Sequence, residues 1–257
     1  MPKLGNNNNI IDYNVGNCDK DKYTSKLSIS LLKSFRYMVD IADNSYIGIW
    51  HNNSNNSNSN SNFINFWQSL VTKKIKIVKY HTIILDNNDN SKKDKITLYK
   101  TIRESNLKKL VVCNPLLIKA KILFKINHMI TVPFNNWFDT QFDDLLQYCT
   151  KIMSDNSDNS NSDAQFIVIT CCGMSAKVLI AELSKLFPNN IYLDFGSALD
   201  KICTKKTSRG WESSYEELMN DLKDIIPDNW NNPKYDYIYT EAQDKLGKHI
   251  TPPLLQN

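Results

Sequence analysis

Helical and extended segments alternate along most of this 257-residue chain, and that alternation limits its fold more than any other feature. Between Thr24 and Ala42, the apolar residues Leu27, Leu31, Phe35, Met38 and Ile41 recur at helical spacing, after which 45–50 (SYIGIW) reads as a strand. The pattern then repeats. Helices are expected over 63–71, 95–105, 116–124, 137–153, 175–187 and 212–226, and strands within 75–85 and over 109–113, 128–132, 165–170 and 191–195. Asn114 and Pro115 open the helix at 116–124, with Pro where its missing N–H costs nothing. Strands alternating with helices imply parallel crossovers. The expected fold class is therefore α/β: Rossmann-like, a mainly parallel sheet of about six strands with helices on both faces. A single domain is expected over 24–226, between an irregular segment 1–23 and a tail 227–257.

Three polar tracts interrupt the series, at 51–62 (HNNSNNSNSNSN), 86–95 (DNNDNSKKDK) and 154–163 (SDNSDNSNSD). Such runs bury too little apolar surface to fold, and each lies between members of the same series, so they read as loop insertions. The chain has 33 Asn, and Lys supplies all but three (Arg36, Arg103, Arg209) of its 31 basic residues, a bias that reflects codon supply more than function. A net charge of +4 spread over scattered lysines gives no footprint of a dedicated nucleic-acid binder. No run reaches the roughly 18 apolar residues of a membrane span, and the start, MPKLGNNNN, lacks the apolar core of a secretory signal. A cytoplasmic chain with neither a membrane nor a nucleic-acid partner is expected. Its six cysteines should be reduced, and none has the paired spacing of a structural zinc site.

In sheets of this type ligands bind beyond the carboxyl ends of the strands, which selects the loops at 50–62, 86–95, 113–115, 133–137, 171–175 and 196–209. The richest stretch is 165–200. There the strand at 165–170 runs through Cys172, Gly173, Met174 and Ser175 into a helix. Gly173 permits a positive φ, Ser175 is a natural N-cap, and the free N–H groups of a first helical turn suit an anion, to which Lys177 would add charge. The same small residue and cap would also serve a joint with no ligand.

The next strand ends in Asp194, followed by Gly196, Ser197 and Asp200. Asp194 and Asp200 are the candidate catalytic carboxylates, able to bind hydroxyls or act as a base, although Asp200 would equally suit the first turn of a helix. Arg209 lies in a loop with Thr207 and Ser208, as a phosphate or carboxylate partner or in an ion pair. Trp137 could stack on a base or sugar ring, or pack beneath its loop.

Taken in order, Tyr46-Ile47-Gly48-Ile49, Pro133-Phe134-Asn135-Asn136-Trp137, Gly173-Met174-Ser175-Ala176-Lys177-Val178-Leu179 and Leu193-Asp194-Phe195-Gly196-Ser197-Ala198-Leu199-Asp200 resemble the glycosyltransferases of the GT-D fold, a Rossmann-like group first described as a domain of unknown function. The resemblance covers most of the chain. It implies sugar transfer from a nucleotide-diphosphate sugar to an acceptor. Joined to the residue reading above, this makes Gly173, Met174, Ser175, Lys177, Gly196, Ser197, Arg209 and Trp137 the candidate donor-binding residues. The resemblance also implies a divalent metal, manganese or magnesium, near an acidic Asp-X-Glu motif close to the N-terminus. No Asp-Gly-Glu precedes the first helix here. The formal equivalent is Asp19-Lys20-Asp21, so Asp19 and Asp21 are the metal candidates and the chain looks shortened at its start. Two alternatives stand beside the enzyme: a GT-D-like module without catalysis that binds a nucleotide, sugar or protein, and an S-adenosylmethionine-dependent methyltransferase.

Overall fold

The computed structural model describes residues 22–49, 64–79, 89–133, 136–155, 165–205 and 214–232. Thr24 starts the first regular element because its hydroxyl accepts the Leu27 N–H at 3.2 Å, leaving one fewer orphan donor in the first turn. Helix α1 (Ser25–Arg36) runs on into a wider π-helical turn, Tyr37–Ile41. Strand β1 (Ile47–Ile49), helix α2 (64–69) and strand β2 (Ile77–Lys79) follow, with β1 and β2 paired in parallel.

Asp40, on the π-helical turn, ties this part together. Its Oδ1 accepts the N–H groups of Thr72 and Lys73, both at 2.8 Å, and the Thr72 hydroxyl at 2.9 Å. The Lys73 N–H leads in holding the carboxyl below its ordinary range, against partial desolvation and with help from Thr72. A folded pKa below the unfolded one adds stability above the ordinary carboxylate pKa and loses it as pH falls through the lowered value. Asp40→Asn is therefore expected to be less stable than the wild type at neutral pH, with the gap closing only at strongly acidic pH. Thermal melts of both proteins across that range measure it, and a gap that ignores pH would contradict the clamp.

Beyond α3 (Asp89–Glu104) lie β3 (Lys108–Cys113), the 3-10 turn Pro115–Leu117, α4 (Ala120–Leu123), β4 (His128–Thr131), α5 (Phe138–Asp155), β5 (Phe166–Cys171), α6 (Ser175–Leu186), β6 (Ile191–Asp194), α7 (Asp200–Thr204), α8 (Tyr215–Asp221) and the 3-10 turn Asp228–Asn231. Four strands form one parallel sheet in the order β4-β3-β5-β6. Alternate side chains of the two interior strands feed two cores. Leu110, Val112, Phe166 and Val168 pack with α1, α5 and α6, while Val111, Cys113, Ile167, Ile169 and Cys171 pack with α3, α4, α7 and α8. The architecture is thus Rossmann-like α/β with helices on both faces. No helix among the described residues is long and apolar enough to cross a membrane.

Several expectations change in detail. Six strands are present among the described residues, but as a four-stranded and a two-stranded sheet. Helix α3 begins at Asp89, inside the tract expected to be a loop. The reason is a buried helical stripe of Ser91, Lys95, Tyr99 and Ile102, whose first two members are polar and so carry no hydrophobic signal. Likewise α5 extends to Asp155, two residues into the third tract. Of the helix expected over 212–226, the described residues 214–226 are α-helical only in α8, opened by a Ser214–Glu217 capping box.

Candidate functional site

The chain leaves β3, adds β4 on one side and then returns to add β5 and β6 on the other. The connections therefore diverge between β3 and β5, the place where such sheets leave a crevice at their carboxyl edge. Asn114 closes the β3 end, accepting the Leu116 N–H at 2.9 Å. The described chain begins at this same edge: the Lys22 N–H donates to Asn136 Oδ1 at 2.8 Å, in the turn that precedes α5.

Thr170 of β5 and Asp194 of β6 are register partners, so the two following turns emerge side by side. Each turns at a glycine in the left-handed region, Gly173 at φ 77° and Gly196 at φ 50°, where a Cβ would be strained. The Asp194 carboxylate lies between them. Its Oδ1 accepts the Thr170 hydroxyl at 3.3 Å and the Gly196 N–H at 3.1 Å, while Oδ2 is 2.6 Å from Lys177 Nζ. Lys177 Nζ also reaches Gly173 O at 3.4 Å. One oxygen of Asp194 is thus held by the scaffold, and the other faces a half-exposed ammonium. Phe195 anchors the strand end from below, 3% exposed, with ring centroids 6.1 Å from Tyr99 and 6.2 Å from Phe124.

Gly173, Lys177, Asp194 and Gly196 are therefore brought into one constellation. Met174, Ser175, Ser197 and Asp200 flank it in the chain. Met174 already has helical φ and ψ, so Ser175 is the first residue of α6 and not its cap; its hydroxyl is buried and has no hydrogen-bond partner. Ser197 offers its carbonyl to the Asp200 N–H at 3.1 Å, and Asp200 opens α7, where its charge favours the helix dipole. Trp137 is not a ligand face. It is 1% exposed, and its indole N–H donates to Cys172 O at 3.2 Å, holding the β5–α6 turn from beneath. Asp19, Asp21 and Arg209 lie outside the described residues.

Thr170 was missed by residue pattern alone. It is a fully buried hydroxyl in an otherwise apolar strand, FIVITC, and that isolation is the signal that could have found it. Among the described residues no group of three His, Cys, Asp or Glu side chains that could hold a metal ion is assembled, and the metal candidates Asp19 and Asp21 lie outside those residues.

The five described thiols are all buried, which favours their protonated form. Burial pushes Cys113 and Cys149 up to about 12 and raises Cys171, Cys172 and Cys203 well above the usual thiol range, with the Asp194 charge adding to the shift of Cys172. None of these five is expected to be alkylated by iodoacetamide in the folded protein at about pH 8. Peptide mass mapping checks this, and labelling that precedes unfolding would contradict it.

No family model matches the chain, and no curated protein matches it. Among solved structures it is similar to a selenomethionine-substituted domain of unknown function 1792 (DUF1792), with a TM-score of 0.49 and 14% identity over 80% of this chain and 76% of that one.

Proposed function

We propose that this chain is a glycosyltransferase that moves a sugar from a nucleotide-diphosphate donor to an acceptor, using the carboxyl edge of β5 and β6. The observation that carries the reading is the Asp194–Lys177 pair set between two left-handed glycine turns. The sequence resemblance at 173–179 and 193–200 supports it independently. In this reading the first turn of α6, with Lys177, takes the diphosphate, because helix N-terminal N–H groups and an ammonium favour oxyanions there. Gly173 and Gly196 let backbone approach the donor closely. Asp194, released from Lys177 by the arriving diphosphate, accepts a proton or a hydroxyl hydrogen bond from acceptor or sugar. Thr170 and the Gly196 N–H keep its Oδ1 in place. Arg209 would add a guanidinium against the phosphates. The reading assigns no step to a metal ion.

A second reading, a module that binds the nucleotide without turnover, is favoured by one feature. Asp194 is already neutralised by Lys177 at 2.6 Å, which a free base would not be.

Calorimetry of the full chain with a panel of nucleoside diphosphates, with and without manganese, tests the site. Binding of at least one is expected, and no binding by any would end both readings. Hydrolysis or transfer of the matching sugar donor then separates the enzyme from the module. Binding of S-adenosylmethionine in their place would point to the methyltransferase.

A further inference from the structure

The amino edge of the four-stranded sheet carries an unbalanced charge. Lys109 stands on the interior strand β3 with the parity of Val111 and Cys113, facing the α3 and α4 layer, and it is only 4% exposed. Its Nζ donates to Ser105 O at 2.7 Å, just past α3, and its backbone N–H donates to Asn127 Oδ1 at 2.8 Å. Arg103, in the last turn of α3, donates through Nη1 to Ile122 O at 2.7 Å and Leu123 O at 2.5 Å. Lys125 lies two residues past the end of α4, exposed and in the left-handed region at φ 54°. Burial lowers the Lys109 pKa, and the charges of Lys125 and Arg103 lower it further. Lys108 adds positive charge on the same edge, beside His128.

Helix ends offset part of this. The carbonyl termini of α3 and α4 each supply at most about −0.5 of a charge, and the single turn of α4 supplies less. Against three full positive charges, about two remain. Glu104 is the neighbouring acid, and it pairs with Lys100 at 3.9 Å. Among the described residues no carboxylate makes an ion pair with Arg103, Lys109 or Lys125. A covered ammonium with like charges beside it is costly unless something compensates it. Donors remain for that purpose. The guanidinium keeps Nε and Nη2, and the ammonium needs only one of its three protons for Ser105 O.

We propose that Arg103, Lys109 and Lys125 form a binding site for a tetrahedral oxyanion of about two negative charges, a phosphate or phosphomonoester. The site lies at the opposite edge from Asp194 and does not depend on the glycosyltransferase reading.

Thermal unfolding of the full chain in sodium phosphate against sodium chloride of equal ionic strength is the test. Phosphate is expected to raise the wild-type melting temperature beyond chloride. In chloride, Lys109→Met should melt at or above the wild type, because an uncompensated cation has been replaced by an apolar chain of similar length, and phosphate should add nothing to it. Lys125→Gln changes an exposed residue and keeps the fold; calorimetry should show inorganic phosphate binding it about fivefold or more weakly than the wild type. Equal melting in phosphate and chloride would overturn the site, as would a Lys109→Met protein that melts lower and keeps its phosphate increment, since the ammonium would then be a cap on Ser105 alone. Glycerol phosphate run beside inorganic phosphate decides the source: tighter binding of the ester indicates an esterified ligand, and equal or weaker binding indicates the free ion.

Discussion

Under the proposed function, exchanging Asp194 for Asn is expected to lower sugar transfer by about 10²- to 10⁴-fold, the usual contribution of a positioned general base. The melting temperature should stay within about 4 °C of the wild type. The two expectations follow from how the carboxylate is held. Oδ1 takes the Thr170 hydroxyl and the Gly196 N–H, and the amide oxygen of Asn can accept both in the same place. What is lost is the charge on Oδ2, with the ion pair to Lys177. That ammonium is half exposed, so the pair is worth about 1 kcal/mol or less, and for a chain of this size each kcal/mol moves the melt by about 2 to 4 °C. Activity should therefore collapse while stability barely moves. Initial rates with the donor identified by calorimetry, set beside the melting curve, read both quantities. Transfer within about twofold of the wild type would remove Asp194 from the chemistry. A melt lower by 10 °C or so would make its role structural. The Lys177→Met protein is the complement: it should lose nucleoside diphosphate affinity, having lost the ammonium that the diphosphate would recruit.

The fold was legible where one rule dominates. FIVITC at β5 is apolar along almost its whole length because both of its faces are covered, and Thr24 announces α1 because few other residue types cap so well. Legibility failed where a residue's role comes from a distant partner. Ser91 and Lys95 occupy buried positions of α3 without looking apolar, so polarity disguised a helix start as a loop. Lys109 is covered on a central strand although its residue type predicts exposure. The division of six strands into two sheets depends on which edges meet, and no local pattern carries that.

The site divides along the same line. Gly173 and Gly196 were readable because a positive φ at a strand end leaves few other residue types. Asp194 was readable as the acid that closes a buried strand. The Lys177 ion pair and the Thr170 hydrogen bond were not, since they join residues 17 and 24 positions apart through the register of β5 and β6. The Ser214–Glu217 capping box is a different case: it has an explicit sequence signature, and the adjacent Glu212 and Ser213 obscured where the helix begins.

Trp137 separates a ligand platform from a structural wedge, and its two truncations should differ in cost. The indole is 1% exposed, stacks on Phe142 with centroids 6.2 Å apart at 18°, and donates to Cys172 O at 3.2 Å. Trp137→Ala empties that volume, at a cost of about 3 to 5 kcal/mol, and strands the carbonyl of the first residue in the β5–α6 turn. At about 2 to 4 °C per kcal/mol the melt should fall by roughly 6 to 20 °C. Trp137→Phe keeps most of the ring but leaves the same carbonyl unpaired, at a cost of about 1 to 3 kcal/mol, so its melt should fall by about 2 to 12 °C, less than that of the Ala protein. Because no indole face is open to solvent, nucleoside diphosphate affinity in the Phe protein should stay within about threefold of the wild type, the change expected from a slightly loosened turn. Melting curves and calorimetry on the same samples test this. A Phe protein that melts like the wild type yet loses tenfold or more in affinity would place the indole on the ligand, and the carbonyl contact with Cys172 would then be incidental.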